Sequence, residues 1–287
     1  MATHRSPDTA FRTTALPSGE TVPILGQGTW NMAERPGRRA GEIAALRTGI
    51  DLGMTLIDTA EMYGGGAAEE LVAEAIEGQR AGVFLVSKVL PDHSTRRGTI
   101  AACEASLRRL RTDRLDLYLL HWRGGTPLDE TLEAFDALAR AGKIRHWGVS
   151  NFDVDDMVDL DAAAAGRVAA ANQVLYNLTR RGIESALLTQ CRARGIPIMA
   201  YSPIEQGRLL GNGVLRRVAR RQSATPAQIA LAWVLRQDGV IAIPKASSID
   251  HIRDNRRALE ISLTPADLDE LDDAFPPPTG PTPLEML

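Results

Sequence analysis

Asp58, Lys88 and His121 are ionisable side chains that each fall in or at the end of a short apolar run: TLIDTA at 55–60, VFLVSK at 83–88 and LDLYLLH at 115–121. Tyr63 follows Asp58 in the loop Glu61-Met62-Tyr63-Gly64-Gly65-Gly66. A carboxylate, an ammonium, an imidazole and a phenol are side chains from which proton transfer is built. An unpaired charge at the end of a buried strand has a desolvation cost of several kcal/mol, so these groups must pair. Of the 33 basic residues only three, Lys88, Lys143 and Lys245, are lysine. Arginine serves as well on a solvated surface, so a lysine that remains is worth inspecting as a compact, burial-tunable ammonium. Lys88 or Lys245 also suits a Schiff-base aldolase with lysine as nucleophile, and that reading stays open at this point. Lys143, just past a helix in Ala141-Gly142-Lys143-Ile144-Arg145, reads as surface charge.

Elements able to position these groups run along the whole chain. HWGVSN at 146–151, IPIMAYS at 196–202 and GVIAIPK at 239–245 join the three runs above as buried strands. Between them RRAGEIAALRTGIDLG, TIAACEASLRRLRTDR, LDETLEAFDALARAGK and PAQIALAWVLRQDG carry apolar residues at three- and four-residue steps and read as surface helices. With Gly28, Asp58, Lys88, His121, Asn151, Gln173, Tyr201 and Lys245 as strand-end markers, the separations are 30, 30, 33, 30, 22, 28 and 44 residues. Eight strand-helix units fit. Apolar strands alternating with helices predict a parallel sheet covered on its outside. Eight units in about 250 residues predict an α/β protein built as a (β/α)8 TIM barrel. The alternative, an open doubly wound sheet, should carry GxGxxG at its first turn, whereas Gly26-Gln27-Gly28-Thr29-Trp30-Asn31 lacks the third glycine.

An N-terminal β-hairpin is predicted over 11–23 and an extra helix at the C-terminal end. The segment Gln206–Gly213 reads as too glycine-rich for a helix and suited to a mobile lid. Prolines in PPPTGPTPLEML predict an irregular tail over 276–287, and with no linker in sight 1–287 reads as a single domain. The 287 residues are 44% hydrophobic and 24% charged, the balance of a globular protein with a sizeable core. A net charge of -3 with Arg and Asp/Glu interleaved offers no basic face for nucleic acid. Cys103 and Cys191 stand without CxxC or histidine companions and read as packing thiols of a reducing compartment. No apolar run reaches the ~18 residues of a spanning helix and the start has no secretion signal, so the cytoplasm is the default and no membrane is expected. The histidines at 4, 93, 121, 146 and 251 lack ligand spacing, and no metal is expected.

The same positions carry a recognisable pattern. Asp58-Thr59-Ala60-Glu61-Met62-Tyr63-Gly64, Ser87-Lys88-Val89, Asp116-Leu117-Tyr118-Leu119-Leu120-His121-Trp122, Gly148-Val149-Ser150-Asn151-Phe152, Asn172-Gln173, Ala200-Tyr201-Ser202-Pro203 and Ile243-Pro244-Lys245 occur in order at suitable spacing. The chain resembles the aldo-keto reductase superfamily over nearly its whole length. GQGTW, TLIDTAEMY, FLVSKV, ACEASLRRL, LDLYLLHW, NQVLY and IPKASS make it most similar to bacterial members of the methylglyoxal-reductase type. The resemblance implies a (β/α)8 oxidoreductase that uses NADP(H), without a metal, to reduce small aldehydes or ketones to alcohols. In that scheme Tyr63 donates the proton to the carbonyl oxygen, Lys88 lowers the phenol's pKa, and Asp58 keeps Lys88 charged and aimed. His121 holds the substrate oxygen and shares the proton at low pH.

The resemblance also implies a dinucleotide groove bordered by Gly28, Thr29, Trp30 and Asp58. Ser150, Asn151 and Gln173 would hydrogen-bond the nicotinamide carboxamide and Tyr201 would stack on its ring. Those polar groups would be costly on an apolar floor without a polar ligand. Ser202, Pro203, Ile204, Gly207 and Leu209 would line the pyrophosphate and form the lid. Pro244, Lys245, Ala246, Ser247 and Ser248 would meet the adenosine 2'-phosphate at a helix start. For Ser247 a capping box with Asp250 is the equal alternative. His251 stands where many NADPH-specific relatives carry arginine, and Arg253 lies roughly 200° away on the helix. NADP(H) is therefore the expected cofactor with NAD(H) admitted, and NADPH affinity should weaken as pH rises through the His251 titration. Asp254 and Asn255 would contact adenine.

Trp30, Met62, Tyr63, His121 and Trp122 would wall a shallow apolar substrate pocket suited to 2-oxoaldehydes or substituted benzaldehydes. A monomer or weak oligomer is expected. Two rival readings stay open: the Schiff-base aldolase, and a nicotinamide-binding regulatory subunit in which slow turnover reports redox state.

Overall fold

The computed structural model of the chain describes residues 11–287; residues 1–10 of the expected single domain lie outside the described residues. Two short strands, β1 (Thr13–Ala15) and β2 (Thr21–Pro23), pair antiparallel across the Pro17-Ser18-Gly19 turn as the expected hairpin. Eight strands follow, each parallel to the next: β3 (Gln27–Gly28), β4 (Leu56–Asp58), β5 (Phe84–Val89), β6 (Leu115–Leu120), β7 (Ile144–Ser150), β8 (Asn172–Leu175), β9 (Ile198–Tyr201) and β10 (Val240–Ala242). The ring closes where Ala242 N–H donates to the Ile24 carbonyl at 2.8 Å and the Gly26 and Gly28 N–H groups donate to the Ala242 and Pro244 carbonyls. A Cβ at Gly28 would stand 2.7 Å from the Ile243 carbonyl oxygen, so the seam requires glycine. The architecture is the expected (β/α)8 barrel.

Helices α1 (Arg39–Asp51), α2 (Ala67–Ala75), α3 (Arg96–Leu110), α4 (Leu128–Arg140), α5 (Val154–Ala164) and α6 (Leu187–Ala193) occupy the first six crossovers. Then come α7 (Gly213–Arg221), α8 (Pro226–Leu235), α9 (Ile249–Arg257) and α10 (Pro265–Ala274). Their starts are written in the sequence: Thr95, Asp153, Asn212, Thr225 and Thr264 each accept a backbone N–H of the first turn, and Pro226 and Pro265 sit where a missing N–H costs nothing. The extra C-terminal helix is α10. The long spacing between the Tyr201 and Lys245 markers is filled by α7 in addition to α8. The segment Glu205–Gly211 corrects the reading of 206–213 as a non-helical lid, because it coils into 3-10 turns broken by positive φ at Gln206 and Gly207. After Phe275 the chain is irregular to Leu287. Among the described residues no helix is long and apolar enough to cross a membrane.

Side chains alternate along every barrel strand, and that parity builds the site. Leu56, Phe84, Val86, Leu117, Leu119, Met199, Ile241 and Ile243 pack together inside the barrel, with Leu16 and Val22 of the hairpin in the same cluster. Ile57, Leu85, Val89, Tyr118, Leu120, Val174 and Ala200 belong to the larger core that includes the helices. Two residues beyond an inward Leu56, Val86 and Leu119 stand Asp58, Lys88 and His121. The same count of two places Tyr201 after Met199, so the ionisable groups must meet at the C-terminal mouth.

Candidate active site

Lys88 is the centre of this mouth. It is fully buried, and its three N–H groups are all taken: by Asp58 Oδ2 at 2.8 Å, by the Thr59 carbonyl at 2.9 Å and by the Tyr63 hydroxyl at 3.0 Å. Burial alone would strip the ammonium of its proton, but Asp58 and Tyr63 reverse the balance and hold the Lys88 pKa above its ordinary value. Asp58 is held in turn by Gln173 Nε2 at 2.7 Å from its Oδ1, while its backbone carbonyl accepts from the Thr29 hydroxyl.

Tyr63 reaches Lys88 from a loop followed by Gly64, Gly65 and Gly66, with φ of 58°, 62° and 96°. Three successive left-handed residues turn the chain at once into α2, and a Cβ at Gly66 would stand 2.6 Å from the Arg109 side chain. Lys88 lowers the phenol's pKa as expected, but the expected net lowering needs correction. Burial raises it, Lys88 lowers it and Asp58 raises it again, with a net rise. Asp58 opposes the Lys88 effect, and burial, the largest cause, decides the sign.

His121 lies 5.8 Å from the Tyr63 ring, edge to face, and 4.9 Å from the Trp122 ring. Burial, then the Lys88 charge, pushes its pKa down to about 2, so the imidazole is neutral and the expected shared proton at low pH is not available. Its buried Nδ1 has no hydrogen-bond partner among the described residues.

A cavity of about 720 Å³ opens over these groups. Gly28, Trp30, Asp58, Met62, Tyr63, His121, Trp122, Ser150, Asn151, Gln173, Tyr201, Ser202, Pro203, Ile204, Gly207, Pro244, Lys245 and His251 line it, all named from the sequence. Asn31, Gln206, Leu210, Ile243, Met286 and Leu287 line it too and were not foreseen. Of six exposed large hydrophobic side chains among the described residues, Trp30, Met62, Met286 and Leu287 stand at this one opening. The remaining candidates do not line it. Thr29 is buried on Asp58, Leu209 and Ala246 belong to the core, and Asn255 is buried. Asp254 accepts from Thr225 and Gln228 of the α8 capping turn.

The amide cluster also differs from expectation. Ser150 donates to the Gln173 carbonyl, Asn151 donates to the His121 carbonyl and to Ser150, and Tyr201 donates to Asn151 Oδ1 at 3.0 Å. The polar floor thus satisfies itself, and no ligand is needed to offset its burial. Asn151 reaches this arrangement with φ of 56°. At the far end of the cavity Ser248, not Ser247, caps α9, and the expected capping box with Asp250 is absent; Ser247 accepts from Lys245 at 3.3 Å. Lys245 has no carboxylate within ion-pair distance among the described residues.

The Aldo/keto reductase family model matches residues 24–275. The chain belongs to the aldo/keto reductase family. It is 51% identical to methylglyoxal reductase YeaE of Escherichia coli over 93% of this chain and 96% of that one. It is 36% identical to glyoxal reductase of Bacillus subtilis over 96% and 97%. Among solved structures, an aldo-keto reductase from Klebsiella pneumoniae in complex with NADPH superposes with a TM-score of 0.94 at 50% identity, covering 96% of this chain and 99% of that one. The same organism's aldo/keto reductase in complex with NADP and acetate gives 0.93. Within an aldo/keto reductase, the cavity's composition suits an extended dinucleotide. An aromatic face at Tyr201 and amides at Asn151 and Gln173 lie at the catalytic end, and the Lys245 ammonium, without an acidic partner among the described residues, lies beside the start of α9 at the other.

Proposed function

We propose that the protein is an NADP(H)-dependent reductase of small aldehydes and ketones in which Tyr63 is the proton donor. The observation that carries this reading is the direction of one hydrogen bond. Lys88 donates to the Tyr63 oxygen, so the phenol's own proton is left for an acceptor in the cavity that Tyr63 lines. Bound NADPH would supply the hydride; Ser150, Asn151, Gln173 and Tyr201 would hold the nicotinamide end, with Lys245, Ser247 and His251 toward the 2'-phosphate.

The chain's own groups then have distinct tasks. A carbonyl oxygen seated between Tyr63 and His121 accepts a hydrogen bond from the neutral imidazole and from the phenol. As negative charge grows on that oxygen its basicity rises far above that of a phenolate, so a phenol with a raised pKa still transfers its proton. The phenolate left behind stands 3.0 Å from the Lys88 ammonium, which stabilises it. Asp58, fixed by Gln173, keeps that ammonium charged and aimed.

Lys88 is poorly suited to the Schiff-base alternative. It is protonated, fully buried and has every N–H occupied, so it presents no lone pair to a carbonyl carbon. The relatives named for methylglyoxal and glyoxal support 2-oxoaldehydes as substrates, and the apolar opening supports benzaldehydes as well. The test is NADPH oxidation followed with methylglyoxal and with a substituted benzaldehyde, NADH in parallel. Turnover of both with NADPH ahead of NADH is expected. Cofactor binding without turnover of any aldehyde would favour the regulatory reading instead.

A further inference from the structure

We infer that Arg180 is a positioning residue that ties the tail walling the substrate opening to the loop over the dinucleotide groove, so that the two halves of the cavity close as one unit; this rests on the reductase reading for what fills them. Arg180 lies outside the cavity, in the tight turn after β8 where its N–H donates to the Asn177 carbonyl at 3.0 Å. Its guanidinium reaches two ways. One nitrogen, Nη1, donates to Glu285 Oε1 at 2.5 Å, and the other, Nη2, to Glu205 Oε1 at 3.3 Å.

The two acids belong to opposite sides of the site. Glu285 immediately precedes Met286 and Leu287, which line the opening beside Trp30 and Met62. Glu205 lies within the segment whose Ser202, Pro203, Ile204, Gln206 and Gly207 line the groove. Ser202, Glu205 and Gln206 take φ of 47°, 48° and 54°, a conformation that non-glycine residues hold only when their surroundings impose it. Glu205 imposes it here: 4% exposed, its carboxylate accepts from Asn177, Arg180 and Arg208. Those three partners outweigh burial and keep the acid ionised.

The tie divides unevenly. Asn177 also donates to the Ser202 carbonyl at 2.9 Å, so the groove loop stays anchored to the turn without the Arg180 side chain. Among the described side chains Glu285 has one hydrogen-bond donor, Arg180, and the pair is part-exposed and screened. Leu284 also holds the tail by packing against the core, so removing Arg180 loosens first the short stretch beyond it. A lysine offers one compact head where two acids need a fork, and does not replace it.

Arg180→Ala, Glu285→Gln and their double variant test this, with Arg180→Lys alongside. KM for a bulky apolar benzaldehyde should rise about three- to tenfold in each single variant and no further in the double. KM for methylglyoxal and kcat should stay within about twofold, and Arg180→Lys should behave as Arg180→Ala. Hydrogen exchange gives a readout without turnover: NADPH should slow exchange of the amides at 284–287 in the wild type and not in the variants. Unchanged KM in both single variants, effects that add in the double, or equal NADPH protection in wild type and Arg180→Ala would overturn the tie. A wild type that binds NADPH but reduces no aldehyde would instead remove the reductase reading, leaving the exchange result to judge the tie alone.

Discussion

Lys88 Nζ lies 3.0 Å from the Tyr63 oxygen and donates to it, with Asp58 and the Thr59 carbonyl accepting its other two hydrogens. The ammonium thus has no orientational freedom left, and the phenol has one free proton with one direction in which to give it. Lys88 draws the Tyr63 pKa down by stabilising the phenolate, while burial, the larger effect, holds the phenol above its ordinary pKa.

Removing the ammonium should expose how much the buried pair matters. Lys88→Met leaves the Asp58 carboxylate uncompensated in the barrel interior, which costs about 3–5 kcal/mol. Asp58→Asn placed in the same chain should restore most of that stability and none of the activity. Urea unfolding of the single and double variants checks this; a double variant as unstable as Lys88→Met would contradict it.

His121 makes stability depend on pH in a definite direction. Its folded pKa is depressed to about 2, whereas in the unfolded chain a histidine titrates near about 6.5. Below that value the unfolded state binds a proton that the folded state refuses, so this site's contribution falls by about 1.4 kcal/mol per pH unit. Unfolding free energies of wild type and His121→Asn between pH 7 and 4.5 should converge as pH drops. A constant difference across that range would show the imidazole titrating normally in the fold.

Asp267 should act over a lower window. It is buried, closes the α10 capping box with Thr264 and accepts from Arg221 and Gln222, which together bring its pKa to about 2 against its burial. A depressed carboxyl gives stability that is present above pH 4 and lost as pH falls toward 2, roughly 2 kcal/mol in all. Asp267→Asn should lower Tm at pH 7 and flatten the acid limb below pH 4. An equal Tm loss at pH 7 and pH 2.5 would place the effect elsewhere.

His251 lines the cavity near Lys245, where arginine would carry a permanent charge. With NADPH as cofactor, His251→Arg should tighten NADPH binding about three- to tenfold at pH 8 and leave NADH unchanged. Equal NADPH affinity of wild type and variant in fluorescence titrations would remove His251 from phosphate recognition.

Much of this was legible in the sequence because strand parity and strand-end chemistry are local. Asp58, Lys88 and His121 each follow an inward apolar residue by two positions, and eight such strands fix their convergence. What stayed hidden depends on distant pairing. Gln173 holds Asp58 across 115 residues, and the amides of Ser150 and Asn151 satisfy one another, neither of which any spacing reveals. The tail is irregular as its prolines predict, but that Met286 and Leu287 reach the opening depends on Leu284 packing on the core and Glu285 meeting Arg180, contacts that no local pattern reveals. The sign of the Tyr63 shift is not legible in spacing because it depends on how deeply the phenol is buried, an effect that exceeds the pull of Lys88.

The most direct measurement compares Tyr63→Phe with wild type in two assays, NADPH affinity by fluorescence titration and reduction of methylglyoxal. The variant should bind NADPH as the wild type does and lose reduction by about 10²-fold or more. Near-normal turnover by Tyr63→Phe would show that the proton reaches the carbonyl oxygen from another group.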